Sequence, residues 1–164
     1  MTDQANMVTE PGLAIERIFD ATVELVWQAW TQPEHLEKWF GPKDFTAPAV
    51  QNDFHVGGKY LYCMRSPDGQ DYWSTGVYRE IIQHRRIVAT DSFADADGNV
   101  VPASHYGMQG DFPIEMQTTV TFEAQGNRTK LTINQAGMPA GMQEMAGTGW
   151  NQSLDKLAAH LAAI

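Results

Sequence analysis

Basic side chains are scarce in this chain: 11 Lys and Arg stand against 20 Asp and Glu, a formal charge of −9 over 164 residues. Nucleic acid phosphates and anionic lipid surfaces repel such a chain, so neither is expected as a partner. Cysteine is scarcer still. Cys63 is alone, which excludes an internal disulfide and a CxxC zinc site, and its apolar-rich surroundings read as those of a small buried residue. No uncharged apolar stretch is long enough to span a bilayer, and residues 1–12 lack a basic start followed by an apolar run. A cytoplasmic protein without membrane attachment is therefore expected. Internal repeats and low-complexity tracts are missing as well.

Several catalytic and metal-binding patterns are also missing. There is no GxSxG elbow, and Gly57-Gly58-Lys59 lacks the other P-loop residues and a following helix. His35, His55, His84, His105 and His160 show no HExxH or other close paired spacing. Asp95-Ala96-Asp97-Gly98-Asn99 looks like the start of a calcium loop, but aligning Gly98 with the loop glycine puts Phe93 at the first ligand position and Ser104 at the last. A turn is the better reading. No metal and no cofactor are expected.

What is present is a change of period along one domain, residues 13–164, preceded by a polar, flexible leader over 1–12. Residues 13–19 alternate as a strand with one buried face. Thr22 can cap a helix carrying Val23, Val26, Trp27 and Trp30 on one side, and Pro33 suits the start of a second with Leu36, Trp39 and Phe40. Six strands follow, near 47–56, 59–65, 72–83, 85–93, 115–124 and 129–135, with turn residues between most of them. The polar insertion 94–113 is long for a loop, and loops of that length are usually functional or mobile. Residues 139–164 read as one long helix in which Trp150, Leu154, Leu157, Leu161 and Ile164 form an apolar stripe. Carried backwards, the stripe meets Gln143, Ala146 and Gly147, flanked by Met142 and Gly149. Two glycines inside a helix cost about 1 kcal/mol each relative to Ala. Either the helix is broken there, or another backbone passes close, or its first half roofs a cavity while its second half closes a core. The cavity is the working expectation.

Together these elements predict an α+β protein: a curved antiparallel sheet of about seven strands, two short helices after the first strand, and a long C-terminal helix held against the sheet.

Specific pieces of sequence strengthen this. They are Ile15-Glu16-Arg17 leading to Val26-Trp27-Gln28-Ala29-Trp30, then Pro33-Glu34-His35-Leu36-Glu37-Lys38-Trp39-Phe40-Gly41-Pro42. Further on come Asp53-Phe54-His55-Val56-Gly57-Gly58, Pro67-Asp68-Gly69, Gly76-Val77-Tyr78-Arg79-Glu80-Ile81, and Gly149-Trp150 with Leu154 and Leu157. In this order the chain resembles the START-like, or SRPBCC, helix-grip superfamily, in the branch named for homologues of the activator of the heat-shock protein 90 ATPase. The resemblance implies a cavity between sheet and C-terminal helix. It does not fix an activity, because members include lipid carriers, cyclases and dehydratases. It also leaves a chaperone partner in view, although the 164 residues hold no counterpart of the chaperone activator's separate N-terminal domain.

Large aromatics around a concave sheet, with adaptable Met at one end, suit a small hydrophobic molecule containing an aromatic group. Trp39, Tyr62, Trp73 and Phe93 are the expected walls, with Met142, Gln143, Gly147 and Trp150 as the roof. Each could also be plain core packing. Asp91 alternates in phase with Phe93, and Gln135 with Leu131 and Ile133. In an apolar cavity Asp91 would have a raised pKa and is a weak candidate for catalytic acid or base; otherwise it is a surface residue near a strand end. Ligand binding is thus the first reading, a cyclase or hydrolase the second, and a chaperone-stimulating module the third.

Overall fold

Residues 12–108 and 112–164 are described by a computed structural model. The expected leader lies outside them, except for Gly12, which opens the first strand. Strand β1 (Gly12–Phe19) is followed by helices α1 (Val23–Thr31) and α2 (Pro33–Trp39). Then come β2 (Thr46–Asn52), β3 (Lys59–Arg65), β4 (Asp71–Ile82), β5 (Arg86–Ala94), β6 (Met116–Gln125), β7 (Arg128–Ala136) and the long helix α3 (Gln143–Ala163). The order is the one the change of period predicts.

All seven strands join one sheet in the order β1-β7-β6-β5-β4-β3-β2, with each neighbouring pair antiparallel. β1 and β2 are consecutive strands placed at opposite edges, so α1 and α2 must carry the chain across. Thr22 starts that crossing by accepting from the Leu25 amide at 3.4 Å, and Pro33 occupies the first turn of α2, where its missing N–H costs nothing. The sheet curls around α3, giving the α+β helix-grip architecture.

The second half of α3 closes the core as the apolar stripe predicts. Leu154 and Leu157 are fully buried and Leu161 nearly so, in one cluster with Val26, Ala29, Leu36, Leu131 and Ile133. Burial of each such leucine contributes about 2 kcal/mol. Ile164, the last residue of the expected stripe, lies beyond the helix end and is exposed. The helix runs unbroken through Gly147 and Gly149, and only the first turn, Ala140–Met142, is of the tighter 3₁₀ kind.

Polar links on two sides help to hold α3 in place. Arg17 on β1 donates to Asp155 at 2.7 Å and to the Asn151 backbone oxygen at 3.2 Å. On the other side the Lys156 ammonium donates to the carbonyls of Pro42 and Phe45, both at 3.1 Å. Asp155 is 71% exposed, so its ion pair contributes at most about 1 kcal/mol. Lys156 is more enclosed, and burial pulls its pKa down. No described helix is long and apolar enough to cross a membrane.

Candidate ligand cavity

Between the concave face of the sheet and the first half of α3 lies a cavity of about 520 Å³. Its walls follow from strand alternation. Tyr60, Tyr62 and Met64 on β3 point inward, and their partners across the ladder, Gly76, Ser74 and Tyr72, share that face. Ile87, Ala89, Asp91 and Phe93 continue the wall on β5, Met116, Thr118 and Val120 on β6, and Gln135 on β7. Thirteen of the lining residues are aromatic and six are methionine, which leaves few polar groups to select a ligand. Cys63, in the opposite phase on β3, is fully buried, and burial pushes its thiol pKa up.

The expected site residues divide into two groups. Trp39, Tyr62, Phe93, Met142 and Trp150 line the cavity, as does Asp91. Trp39 forms part of its floor, held by an indole N–H that donates to the Ala29 carbonyl at 2.9 Å. The structure does not bring Trp73, Gln143 or Gly147 to the cavity. Trp73 follows Tyr72 in the strand and therefore faces the other side of the sheet; its backbone N–H is taken by the Tyr106 hydroxyl at 3.1 Å. Gln143 turns back to the Met138 carbonyl at 3.3 Å. A Cβ on Gly147 would meet Leu13 of β1 at 3.7 Å, an ordinary contact away from the cavity. The roof is instead built from Met142, Ala146, Gly149, Trp150 and Ser153, recurring at helical spacing on the other side of Trp150.

Five side chains form one polar network in this apolar space. The Trp150 indole N–H donates to Gln135 Oε1 at 3.1 Å. Because an indole nitrogen can only donate, it fixes which end of the Gln135 amide faces which way. The Gln135 NH₂ group is thereby directed onto Asp91 Oδ2 and Thr118 Oγ1, each at 3.3 Å. Tyr60 Oη lies 3.1 Å from Asp91 Oδ1 and 2.9 Å from the Thr90 carbonyl. Both are acceptors when Asp91 is ionised, and the phenol has one hydrogen. A proton on Oδ1 resolves the conflict, since Tyr60 can then donate to Thr90 and accept from Asp91. Burial pushes the Asp91 pKa up to about 6, against hydrogen bonds from Tyr60 and Thr118 that pull it down.

Gly76 makes the Tyr60 contact possible. A Cβ at this position would stand 1.9 Å from the Thr90 oxygen and 2.6 Å from the Tyr60 ring. Without that Cβ the phenol reaches the carbonyl. A second polar pair lies nearby: Tyr62 and Tyr78 approach at 3.4 Å, and Asn52 donates to the Thr31 carbonyl at 2.8 Å while lying 3.4 Å from Tyr78. Burial, more than any other cause, raises all three tyrosine pKa values, so these phenols are neutral donors or acceptors near neutral pH.

Part of the long insertion also reaches the cavity, through Tyr106, Met108 and Phe112. Tyr106 fastens it by donating to the Ala94 carbonyl as well as accepting from Trp73. The Asp95 segment is a turn closed on itself: its carboxylate accepts from the Asp97 and Asn99 amides at 3.0 and 2.9 Å, and those bonds lower its pKa. Among the described residues no group of three potential ligands could hold a metal ion.

Sequence reasoning singled out Asp91 and Gln135 but passed over Tyr60, Tyr78 and Thr118. Tyr60 was within reach of it, being two residues from Tyr62 on the same strand and hence on the same face.

Comparison with known structures places this arrangement. A crystallised protein from Chromobacterium violaceum is 32% identical, with a TM-score of 0.76 over 92% of this chain and 96% of its own. A solution structure from Arthrobacter aurescens is 30% identical, with a TM-score of 0.75 over 92% of this chain and 86% of its own. At 24% identity a Silicibacter pomeroyi protein shares the fold, with a TM-score of 0.73 over 93% and 99% of the two chains. No curated protein matches. The family described as "Activator of Hsp90 ATPase homolog 1-like protein" matches residues 20–162.

Proposed function

The chain belongs to the activator of Hsp90 ATPase homolog 1-like family, and on that premise we propose that it binds a small hydrophobic molecule, with an aromatic group, between sheet and α3. One observation carries this reading: a cavity of about 520 Å³ walled by aromatic and methionine side chains, a volume in the usual range for small-molecule sites. An aromatic ligand would find ring faces on several sides, and the Met-rich end would adapt to its shape. The test is titration with a hydrophobic dye, together with native mass spectrometry of protein purified from its own cells. Dye binding that is abolished by filling the cavity, or a co-purified mass, supports the reading. A protein that binds neither dye nor any small molecule would remove it.

A second reading is favoured by the Asp91–Tyr60 pair. A carboxyl group that titrates near neutral pH beside a phenol could move a proton to or from a bound substrate, as cyclases and hydrolases require. In that case Asp91→Asn abolishes turnover and leaves binding nearly unchanged. The family name carries a third reading, stimulation of a chaperone ATPase, which a rate assay at saturating protein decides.

A further inference from the structure

Asp91 is the only lining residue, among those described, that bears a formal charge in its ionised state at neutral pH. No Lys, Arg or His accompanies it in the wall. Its contacts are all neutral groups: the Tyr60 phenol at 3.1 Å, the Gln135 amide at 3.3 Å and the Thr118 hydroxyl. Charges enclosed by apolar surroundings are normally paired, because an unpaired carboxylate there keeps its full desolvation cost. Among the described residues the cavity wall therefore holds no counter-charge.

We propose that the ligand supplies it: the cavity accepts an amine on an apolar, aromatic body, with the ammonium group placed against Asp91. This inference rests on the ligand-binding reading above and names the chemistry of its ligand. In the empty cavity a proton on Asp91 Oδ1 satisfies the Tyr60 oxygen. A bound ammonium takes the place of that proton, bringing both the hydrogen-bond donors and the positive charge. Gln135 continues to donate to Oδ2, because Trp150 holds its amide in that orientation. The Tyr60 ring, whose hydroxyl meets Asp91, lies 4.7 Å from that of Tyr62, and Phe93 lines the same cavity; aromatic faces attract a cation. A carboxylate ligand would be repelled by ionised Asp91, and a neutral one would bring no counter-charge to it. The net charge of −9 also draws cations toward the protein.

The groups facing Asp91 keep its titration separable. From β3 and β4 they are Tyr60, Tyr62 and Tyr78, all held neutral by burial. From β6, β7 and α3 they are Met116, Thr118, Gln135, Met142, Ala146 and Trp150, none of which titrates.

The experiment compares naphthylmethylamine, naphthylmethanol and naphthoate by calorimetric titration of the full chain from about pH 5 to about pH 8. The amine stays protonated throughout. At the alkaline end it should bind at least about tenfold tighter than the alcohol, the ratio expected of one charge-assisted hydrogen bond, and naphthoate should bind weakest. Toward pH 5 the advantage of the amine should shrink as Asp91 takes up its proton, a change read on the unaltered protein. Asp91→Asn should abolish the advantage and keep the affinity for the alcohol. If the alcohol binds and the amine binds no better at pH 8, or if Asp91→Asn leaves the amine's advantage intact, the amine assignment is overturned while the cavity reading stands. If none of the three binds, the cavity reading fails and this inference fails with it.

Discussion

The Trp150 indole N–H donates to the Gln135 side-chain oxygen at 3.1 Å, and this single bond from the roof decides what the β7 wall presents to Asp91. Trp150 is also stacked on Trp30, with ring planes within 8° and centroids 6.1 Å apart, so the donor cannot rotate freely. Replacing it with phenylalanine retains an aromatic ring and removes the donor. Trp150→Phe should cost about 1 kcal/mol or more for the lost bond and its unpaired acceptor. It should also free the Gln135 amide to flip its oxygen toward Asp91, which raises the Asp91 pKa further. The check is the midpoint of the Asp91-dependent stability change, which should move to higher pH in the variant.

That stability change has a definite sign. The folded protein holds the Asp91 proton up to about pH 6, whereas the unfolded chain releases it near the ordinary carboxylate value, about pH 4. Between those limits the folded state binds more protons, so stability falls as pH rises through the window. Asparagine offers the same two contacts without ionising, with NH₂ toward Tyr60 and oxygen toward Gln135. Asp91→Asn should therefore be more stable than the unaltered protein by roughly 3 kcal/mol above pH 7, with little difference at pH 4. Urea denaturation at the two pH values measures it.

A second titrating contact works in the opposite direction. His35 Nδ1 on α2 and His160 Nε2 on α3 lie 2.9 Å apart, an arrangement that needs one hydrogen between them. Burial first, then the charges of His35 and Lys38, holds the His160 pKa below the ordinary imidazole value. The unfolded chain then takes up the proton more readily, so this contribution is present above about pH 6.5 and is lost as pH falls below it. In an Asp91→Asn background, which removes the opposing slope, His160→Gln should flatten the remaining acid sensitivity between about pH 7.5 and about pH 5.5.

Gly76 tests whether the Tyr60 contact depends on a missing side chain. A Cβ there would meet backbone at 1.9 Å, and neither β4 nor β5 can yield cheaply in the middle of the sheet. Gly76→Ala should destabilise by about 2 kcal/mol or more, and hydrogen exchange should show the β4–β5 pairing loosened.

The two helix glycines separate stability from binding. Gly149 lines the cavity, where a Cβ would find Pro42 at 3.5 Å; Gly147 faces Leu13 instead. Leucine at either position improves helix propensity by roughly 1 kcal/mol. Gly149→Leu should keep or raise the melting temperature while sharply reducing dye binding. Gly147→Leu should leave dye binding unchanged. Equal effects of the two on binding would contradict the placement of the roof.

The architecture was legible because period, turn residues and strand count all pointed one way. The phase of individual residues was harder to read. Tyr72 and Trp73 are adjacent aromatics, so alternation alone could not say which of them faced inward; pairing of Met64 with Tyr72 and of Cys63 with Trp73 decides it. On α3 the stripe through Trp150 and Leu154 was plain, but a helix touching three neighbours has two flanks. Which flank met the cavity depended on where β1 lies, beside Gly147, and Pro42, beside Gly149. Asp91 showed only imperfect alternation, since Ser92 also reaches the cavity from the same strand. The fixed orientation of Gln135 was beyond any local pattern, because it joins residues of β7 and α3 through side chains alone.

The edge pairing of the sheet carries a consequence for how the protein comes into being. β1, the first strand, finds its partner only in β7, with Gly12 opposite Ala136 and Phe19 opposite Thr129. More than a hundred residues must leave the ribosome before that pairing can start, and α3 follows later still. Until then the apolar faces of β3 to β6 have only α1 and α2 to pack against, and such long-range contacts form slowly. The cavity is therefore the last part of the molecule to exist. A cell short of chaperone capacity should lose this protein during synthesis sooner than after its completion, and a ligand can be taken up only by a finished chain.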